Sequence, residues 1–155
     1  DLDIICIVLG ADTKKFRTQD SIKLIEYSFS NFEMVDVKSI IEENFSKWRS
    51  DTSGSFIVGK GVSNFVETYL EDFKYSKYPI NKSHINDIRT KLECTYSFEA
   101  PLLQNSEIGS LRCYVNDLEI CKLSIFTSKP IFKKNVFFYF DNFLKNYPLY
   151  LKSIF

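Results

Sequence analysis

The sequence predicts a mainly β protein: a small antiparallel β-sandwich, preceded by a strand-helix remnant of an α/β domain and followed by a C-terminal amphipathic helix. Three observations indicate this fold. Apolar and polar side chains alternate between residues 89 and 98, as they do in a strand with one buried face. The polar pair Asn116-Asp117 separates two apolar runs and is typical of a hairpin turn. Aromatic residues recur at helical spacing after residue 135.

Residues 1–33 are interpreted as the end of a catalytic α/β domain. Residues 4–9 form a continuous apolar run that ends at Gly10, which predicts a strand covered on both faces. A helix is expected to begin near Thr18, because Ile22, Ile25, Phe29 and Phe32 recur at spacings of three and four. Asp1 is not Met and no signal peptide pattern follows it, so the first residue is interpreted as a cut in a longer protein.

Residues 34–128 are expected to form the β-sandwich domain. Short strands are predicted from residue 35 to 41, at 56–58, at 65–70, at 89–98, and at 111–115 and 118–126 on either side of the Asn116-Asp117 turn. A change of phase in the last strand predicts a bulge near Cys121 and Lys122. Gly109 is expected to permit a turn.

The composition argues against several classes of function. Twenty basic and twenty acidic residues leave no net charge, so binding of nucleic acid is not expected. Four scattered cysteines and a single histidine, His84, offer almost no ligands for zinc, and we expect neither a metal nor a cofactor. Cys113 and Cys121 fall on neighbouring predicted strands, and their spacing leaves open whether they are bonded.

Residues 129–155 are predicted to form an amphipathic membrane-anchoring helix. Six lysines and one acid follow residue 121, so this end carries a charge of about +5. The longest apolar run, residues 136–140, is far short of the roughly 20 residues that cross a bilayer. Such a helix lies in the headgroup region instead, with its lysines toward anionic lipid. Pro148 is expected to end it near Tyr147.

The side chains proposed to bind the membrane are the aromatic and aliphatic residues of one helix face and the neighbouring lysines. They are Lys133, Lys134, Phe137, Phe140, Phe143, Leu144, Lys145, Tyr147 and Leu151. Two alternatives stay open for the same helix, since most amphipathic helices pack on their own core or on a protein partner.

Three stretches together resemble the low-molecular-weight penicillin-binding proteins that act as D-alanyl-D-alanine carboxypeptidases. "IICIVLGADTKKFRTQDSIKLIEYSFSNF" is similar to the end of that family's catalytic, transpeptidase-like domain. "FEAPLLQNSEIGSLRCYVNDLEICKLSI" resembles the signature of its second domain, and the basic aromatic tail resembles its membrane anchor. The order and spacing of the three agree over nearly the whole chain, although residues 40–88 match only in outline.

The family's catalytic motifs are missing from this chain. Its chemistry rests on Ser-x-x-Lys, Ser-x-Asn and Lys-Thr-Gly, and the sequence contains none of them. The resemblance therefore implies a serine-type hydrolase as the parent and a fragment without catalytic residues. It also implies attachment to the outer face of the bacterial cytoplasmic membrane, with the peptidoglycan stem peptide bound through the missing domain. The alternative is a protein-recognition β-domain whose terminal helix docks on a partner of a cell-wall assembly.

Overall fold

A computed structural model describes residues 2–52 and 55–152, with side chains as far as Lys145. Its fold is mainly β, as predicted, and a helix lies near each end of the described chain. A further helix, which the sequence did not predict, follows the first strand. The elements are α1 (Lys14–Asn31), β1 (Phe32–Asp36), α2 (Val37–Asp51), β2 (Ile57–Gly59), β3 (Thr68–Leu70), β4 (Lys77–Asn81), a 3₁₀ turn (Lys82–Asp87), β5 (Ile88–Cys94), β6 (Ser97–Glu99), β7 (Glu107–Val115), β8 (Leu118–Thr127) and α3 (Val136–Lys152).

The strands of the described residues form one four-stranded sheet and two pairs. The four-stranded sheet has the order β3-β8-β7-β5, and β1 pairs with β4 antiparallel. β2 and β6 pair in parallel, which differs from the purely antiparallel arrangement that the sequence predicts. Two strands separated by a long stretch of chain can pair in either direction, whereas a short hairpin allows only the antiparallel one.

By its internal contacts the chain divides into two compact units, called unit 1 and unit 2. Unit 1 contains residues 1–45, 72–92 and 111–123, and unit 2 contains residues 46–71, 93–110 and 124–155. The predicted domain boundaries after residues 33 and 128 stay predictions.

Unit 1 contains the helix that the sequence analysis missed. Short strands were expected from residue 35 to 41, but β1 ends at Asp36 and α2 begins at Val37. The Asp36 carboxylate accepts a hydrogen bond from the backbone N–H of Lys38, at 3.0 Å, which satisfies one donor of the first turn. The α2 residues that are buried in unit 1 are Val37, Ile41 and Phe45, spaced four apart on one helix face.

The predicted N-terminal strand does not form. Residues 2–11 contain no strand, and Ile5, Ile7 and Leu9 are 91%, 75% and 87% exposed. An apolar run becomes a strand only when neighbouring strands take up its backbone hydrogen bonds. Among the described residues, none pairs with this segment.

Helix α1 begins four residues earlier than predicted. Its first residue is Lys14, and the hydroxyl of Thr13 accepts a hydrogen bond from the backbone N–H of Phe16 at 3.2 Å. Thr13 is therefore the N-cap instead of Thr18, whose own hydroxyl donates back to the carbonyl of Lys14 within the helix. No residue of α1 is buried.

The predicted hairpin is confirmed. β7 and β8 are joined by Asn116 and Asp117, whose φ angles of 47° and 67° are those of the mirror-image turn that suits twisted strands. Gly109 lies inside β7 and not in a turn. A Cβ at this position would collide with the carbonyl oxygen of Glu93 and with the backbone of Cys94, so the glycine allows a close approach of two backbones.

Candidate functional site: the C-terminal helix

The segment that leads from β8 to α3 is fixed to the body of unit 2 by backbone hydrogen bonds. Ile131 and Leu102 exchange two of them, at 2.8 and 2.9 Å, and the Ile131 side chain is buried. The N–H of Lys134 donates to the carbonyl of Lys60 at 2.8 Å, immediately before the helix begins. The start of α3 is therefore held in place within unit 2.

Helix α3 has its own capping residue. The side-chain oxygen of Asn135 accepts a hydrogen bond from the backbone N–H of Phe138 at 2.9 Å, and asparagine is among the residues preferred at this position. The predicted end near Tyr147 is wrong, because the helix continues through Pro148 to Lys152. A proline removes one hydrogen bond and bends a helix, and the remaining turns can continue beyond it.

The predicted apolar face of α3 is exposed over its described part. Phe137, Phe140, Phe143 and Leu144 retain between 52% and 77% of their accessible surface. At 100° per residue these side chains share an arc of about 120° of the helix circumference. Tyr147 and Leu151 belong to the same predicted face, but their side chains lie outside the described residues.

The rest of the described helix is also uncovered. Between residues 136 and 145 no side chain is buried, and Phe138 alone is half-buried. A helix that packs on its own domain buries its apolar face. The described part of α3 therefore lacks the burial that core packing requires.

The predicted lysines differ in their surroundings. Lys133 and Lys145 are exposed, whereas Lys134 is half-buried with its ammonium 5.6 Å from the centre of the Phe138 ring. That distance is within the range of a cation–π interaction. Phe138 was not among the predicted site residues because it lies off the apolar face. The signal in the sequence is its spacing of four from Lys134.

The described residues contain no cluster of three side chains that could hold a metal ion. Burial raises the pKa of the Cys94 thiol to about 11 and that of Cys113 to about 12. Both are therefore protonated at neutral pH, and a thiol is a much weaker nucleophile than a thiolate. Cys113 and Cys121 are free thiols joined by a hydrogen bond.

In the described residues, no helix is both long enough and apolar enough to cross a membrane.

Comparison with known proteins gives fold-level likenesses only. No family model matches the sequence, and no curated protein matches it. Penicillin-binding protein 5 from Haemophilus influenzae is similar over 81% of this chain, with 21% identity and a TM-score of 0.47. The D-alanyl-D-alanine carboxypeptidase DacD from Francisella tularensis is similar over 81%, with 15% identity and a TM-score of 0.48.

Both likenesses are to longer proteins. The chain spans about a third of their length, 34% of the first and 29% of the second. At these identities and TM-scores, no residue role is transferred from them to this chain.

Proposed function

We propose that this chain is the C-terminal region of a D-Ala-D-Ala carboxypeptidase that trims peptidoglycan stem peptides in cell-wall biosynthesis. In this proposal the chain is a stalk and a membrane anchor and is itself non-catalytic. The parent enzyme lies outside the cytoplasm, attached peripherally to the outer face of the bacterial cytoplasmic membrane. Support comes from the three sequence stretches that resemble the family in the same order and spacing.

The observation that carries the anchoring role is the exposed aromatic face of α3 beside two exposed lysines. Phe137, Phe140, Phe143 and Leu144 are already half or more exposed, so they reach lipid without unfolding of unit 2. Transfer of each from water contributes about 1 kcal/mol beyond the contacts it already has. Lys133 and Lys145 add about 1 kcal/mol each at an anionic surface.

Together these contributions are about 6 kcal/mol, which corresponds to half-maximal binding at a lipid concentration on the order of 10–100 μM. That affinity suits a reversible peripheral anchor. It is far below that of a spanning helix. A membrane-anchoring helix of this kind keeps an attached domain close to the bilayer. The effective concentration of that domain near a polymer at the same surface is therefore raised.

The stalk role is supported by the way α3 begins. The hydrogen bonds of Ile131 with Leu102 and of Lys134 with Lys60 leave no free linker before the helix. When a helix that is fixed in this way binds the membrane, unit 2 stays at a fixed distance from the lipid surface. A flexible linker would allow that distance to vary.

The catalytic-domain part of the proposal is supported by a second uncovered apolar surface, in unit 1. Ile5, Ile7 and Leu9 are exposed in a segment without regular secondary structure, and the α1 side chains of Phe16 and Tyr27 are 52% and 56% exposed. Large exposed apolar surfaces mark contacts with other proteins or domains. In the proposal, the missing sheet of the catalytic domain covers this surface.

The test is co-sedimentation of the full chain with vesicles of anionic or neutral phospholipid. The variant Phe137→Ser/Phe140→Ser removes two side chains from the apolar face of α3. Its matched control is Leu118→Ser/Leu103→Ser, which removes two side chains that are 70% and 67% exposed elsewhere. We expect Phe137→Ser/Phe140→Ser to lose most of its binding to anionic vesicles and the control to bind like the unchanged chain.

A chain that ends at Pro130 should not sediment with either kind of vesicle. Equal sedimentation of the truncated and full chains would exclude α3 as the anchor. If the full chain binds no vesicles but its terminal helix is protected by a protein partner, the alternative of a protein-recognition domain is favoured. Contact with an apolar groove is insensitive to salt, whereas attraction between lysines and lipid weakens as salt rises.

A further inference from the structure

Unit 2 contains a cleft of about 680 Å³ that the proposed anchoring role does not use. This volume is within the range of sites for small molecules, roughly 300–1,000 Å³. Three parts of the chain line it: the end of α2, the loop that leads into β3 together with the first residue of that strand, and the residue that follows β8. The side chains that matter for its chemistry are Ser46, Arg49, Ser50, Phe65, Thr68 and Ser128.

Hydroxyl groups dominate the polar lining of this cleft. Ser46 and Ser50 lie one helical turn apart on the same face of α2, and Thr68 and Ser128 lie on the strand side. Each hydroxyl both donates and accepts hydrogen bonds. A surface of this kind matches a ligand whose own polar groups are hydroxyls, since neither partner is limited to one role.

Thr68 is the clearest sign that the cleft is built for a ligand. Its side chain is 4% exposed, and its hydroxyl makes no hydrogen bond with any described group. The backbone of β3 is occupied by its antiparallel pairing with β8, in which Thr68 lies opposite Thr127. A buried hydroxyl without a partner is costly. Because Thr68 lines the cleft, a polar ligand group that reaches this hydroxyl gains a hydrogen bond that the described residues do not make.

Phe65 supplies an apolar wall. Its ring is 56% exposed at the cleft, and its backbone N–H is held by the hydroxyl of Ser63 at 2.9 Å. An aromatic face of this kind packs against the flat C–H face of a sugar ring, while the ring's hydroxyls point toward the serines.

One acidic and one basic side chain, Glu67 and Arg49, line the cleft. Glu67 is bound by Lys129, with 2.7 Å between carboxylate and ammonium, and Arg49 brings a guanidinium to the lining. The planar guanidinium fork fits a carboxylate in two parallel hydrogen bonds. A polyphosphate would need several more cations than this lining offers.

We propose that the cleft binds an acidic oligosaccharide of two or three rings, with a sugar on Phe65, hydroxyls on Ser46, Ser50 and Thr68, and a carboxylate on Arg49. The choice of sugar rests on the proposed function, because a cell-wall enzyme meets a glycan that carries carboxylates. The cleft then holds the glycan strand of the polymer whose stem peptides the parent trims.

The test is isothermal titration calorimetry of the full chain with the disaccharide of N-acetylglucosamine and N-acetylmuramic acid. We expect a saturable Kd of about 1 mM or tighter. The neutral disaccharide of N-acetylglucosamine should bind about tenfold more weakly, because it lacks the carboxylate for Arg49.

Two variants and a control locate the site. Thr68→Val keeps the shape of the side chain and removes the hydroxyl, and Arg49→Gln removes the cation; each should raise Kd about tenfold. Lys47→Gln removes a cation from an exposed neighbouring position of α2 outside the cleft and should leave Kd unchanged. Thermal melting should show that Thr68→Val is at least as stable as the unchanged chain, since it loses an unpaired buried hydroxyl.

Absence of saturable binding by either disaccharide overturns the inference, and so does an equal effect of Arg49→Gln and Lys47→Gln. Binding that Thr68→Val leaves unchanged also overturns it. These outcomes are independent of the vesicle experiment. A chain that binds sugar but no vesicles contradicts only the anchor, and one that binds vesicles but no sugar contradicts only the cleft.

Discussion

Removal of the two exposed lysines beside the apolar face of α3 should weaken membrane binding in a strongly salt-dependent manner. The variant is Lys133→Gln/Lys145→Gln. Lys134 stays in place because its ammonium lies over the Phe138 ring near the start of the helix. Its replacement would mix a structural effect with a charge effect.

The expected size follows from the exposure of these two side chains. Each well-placed lysine contributes about 1 kcal/mol at an anionic surface, and both side chains are exposed to approach it. Their removal should therefore weaken binding by about 2 kcal/mol, or roughly 30-fold, at low ionic strength. The Debye length falls from about 10 Å at 0.1 M salt to about 3 Å at 1 M, so the difference should nearly vanish at 1 M.

The assay is the lipid concentration at half-maximal sedimentation with vesicles containing about one third anionic lipid, a composition chosen to match the surface charge that attracts basic segments. The matched control is Lys14→Gln/Lys15→Gln, which removes two exposed lysines from the first turn of α1. Loss of these cations does not weaken α1, since positive charge is unfavourable at a helix N-terminus. The two variants have the same net charge.

An equal loss of binding in Lys14→Gln/Lys15→Gln and in Lys133→Gln/Lys145→Gln would contradict this prediction. In that case the attraction depends on net charge and not on the position of the lysines beside α3. A difference between Lys133→Gln/Lys145→Gln and the unchanged chain that is the same at 0.1 M and 1 M salt would also contradict it, because salt screens an electrostatic attraction.

Three further predictions concern the stability and reactivity of the chain. Gly109→Ala should destabilise it by about 2 kcal/mol in urea unfolding, because the added Cβ collides with a neighbouring backbone; an unchanged midpoint would show that this contact relaxes freely. Thr127→Val should cost about 2–4 kcal/mol in the same assay, since the fully buried hydroxyl donates to the carbonyl of Leu103 at 2.7 Å and accepts from the N–H of Ser106 at 3.0 Å; a loss below the cost of one hydrogen bond would contradict this account. Alkylation of Cys94 and Cys113, followed by mass spectrometry, should be slow at pH 8 and should accelerate as pH rises toward their pKa values of about 11 and 12. Alkylation rates that are independent of pH would contradict the raised pKa values. The raised pKa values also contribute stability below the ordinary thiol pKa, and this contribution is lost as pH rises through 11 to 12; a urea midpoint that does not fall over this range would contradict it.

Local patterns were sufficient wherever one segment determines its own conformation. The Asn116-Asp117 turn was predicted correctly because asparagine and aspartate tolerate the positive φ angles that the structure contains. The helix in the tail was predicted correctly because its aromatic spacing repeats over several turns. Helix α2 was missed, although Val37, Ile41 and Phe45 carry the same kind of spacing, because β-branched residues at its start suggested a strand.

The strand predicted at residues 4–9 failed for a different reason. Its apolar content was recognised, but pairing depends on neighbouring strands, and no described residue supplies them. The same limit applies to Gly109, which was expected in a turn but lies in β7, where the backbones of β7 and β5 approach closely.

The sequence by itself determined the mainly β composition of the fold, the hairpin turn, the amphipathic character of the tail and the absence of the motifs Ser-x-x-Lys, Ser-x-Asn and Lys-Thr-Gly. Each of these depends on residues that are neighbours along the chain. Only the tertiary structure decided that the aromatic face of α3 is exposed and that the Thr68 hydroxyl is buried without a partner. It also brought Ser46, Phe65 and Ser128 to one cleft. Burial and the meeting of distant side chains follow from how the elements pack, and no local pattern encodes them.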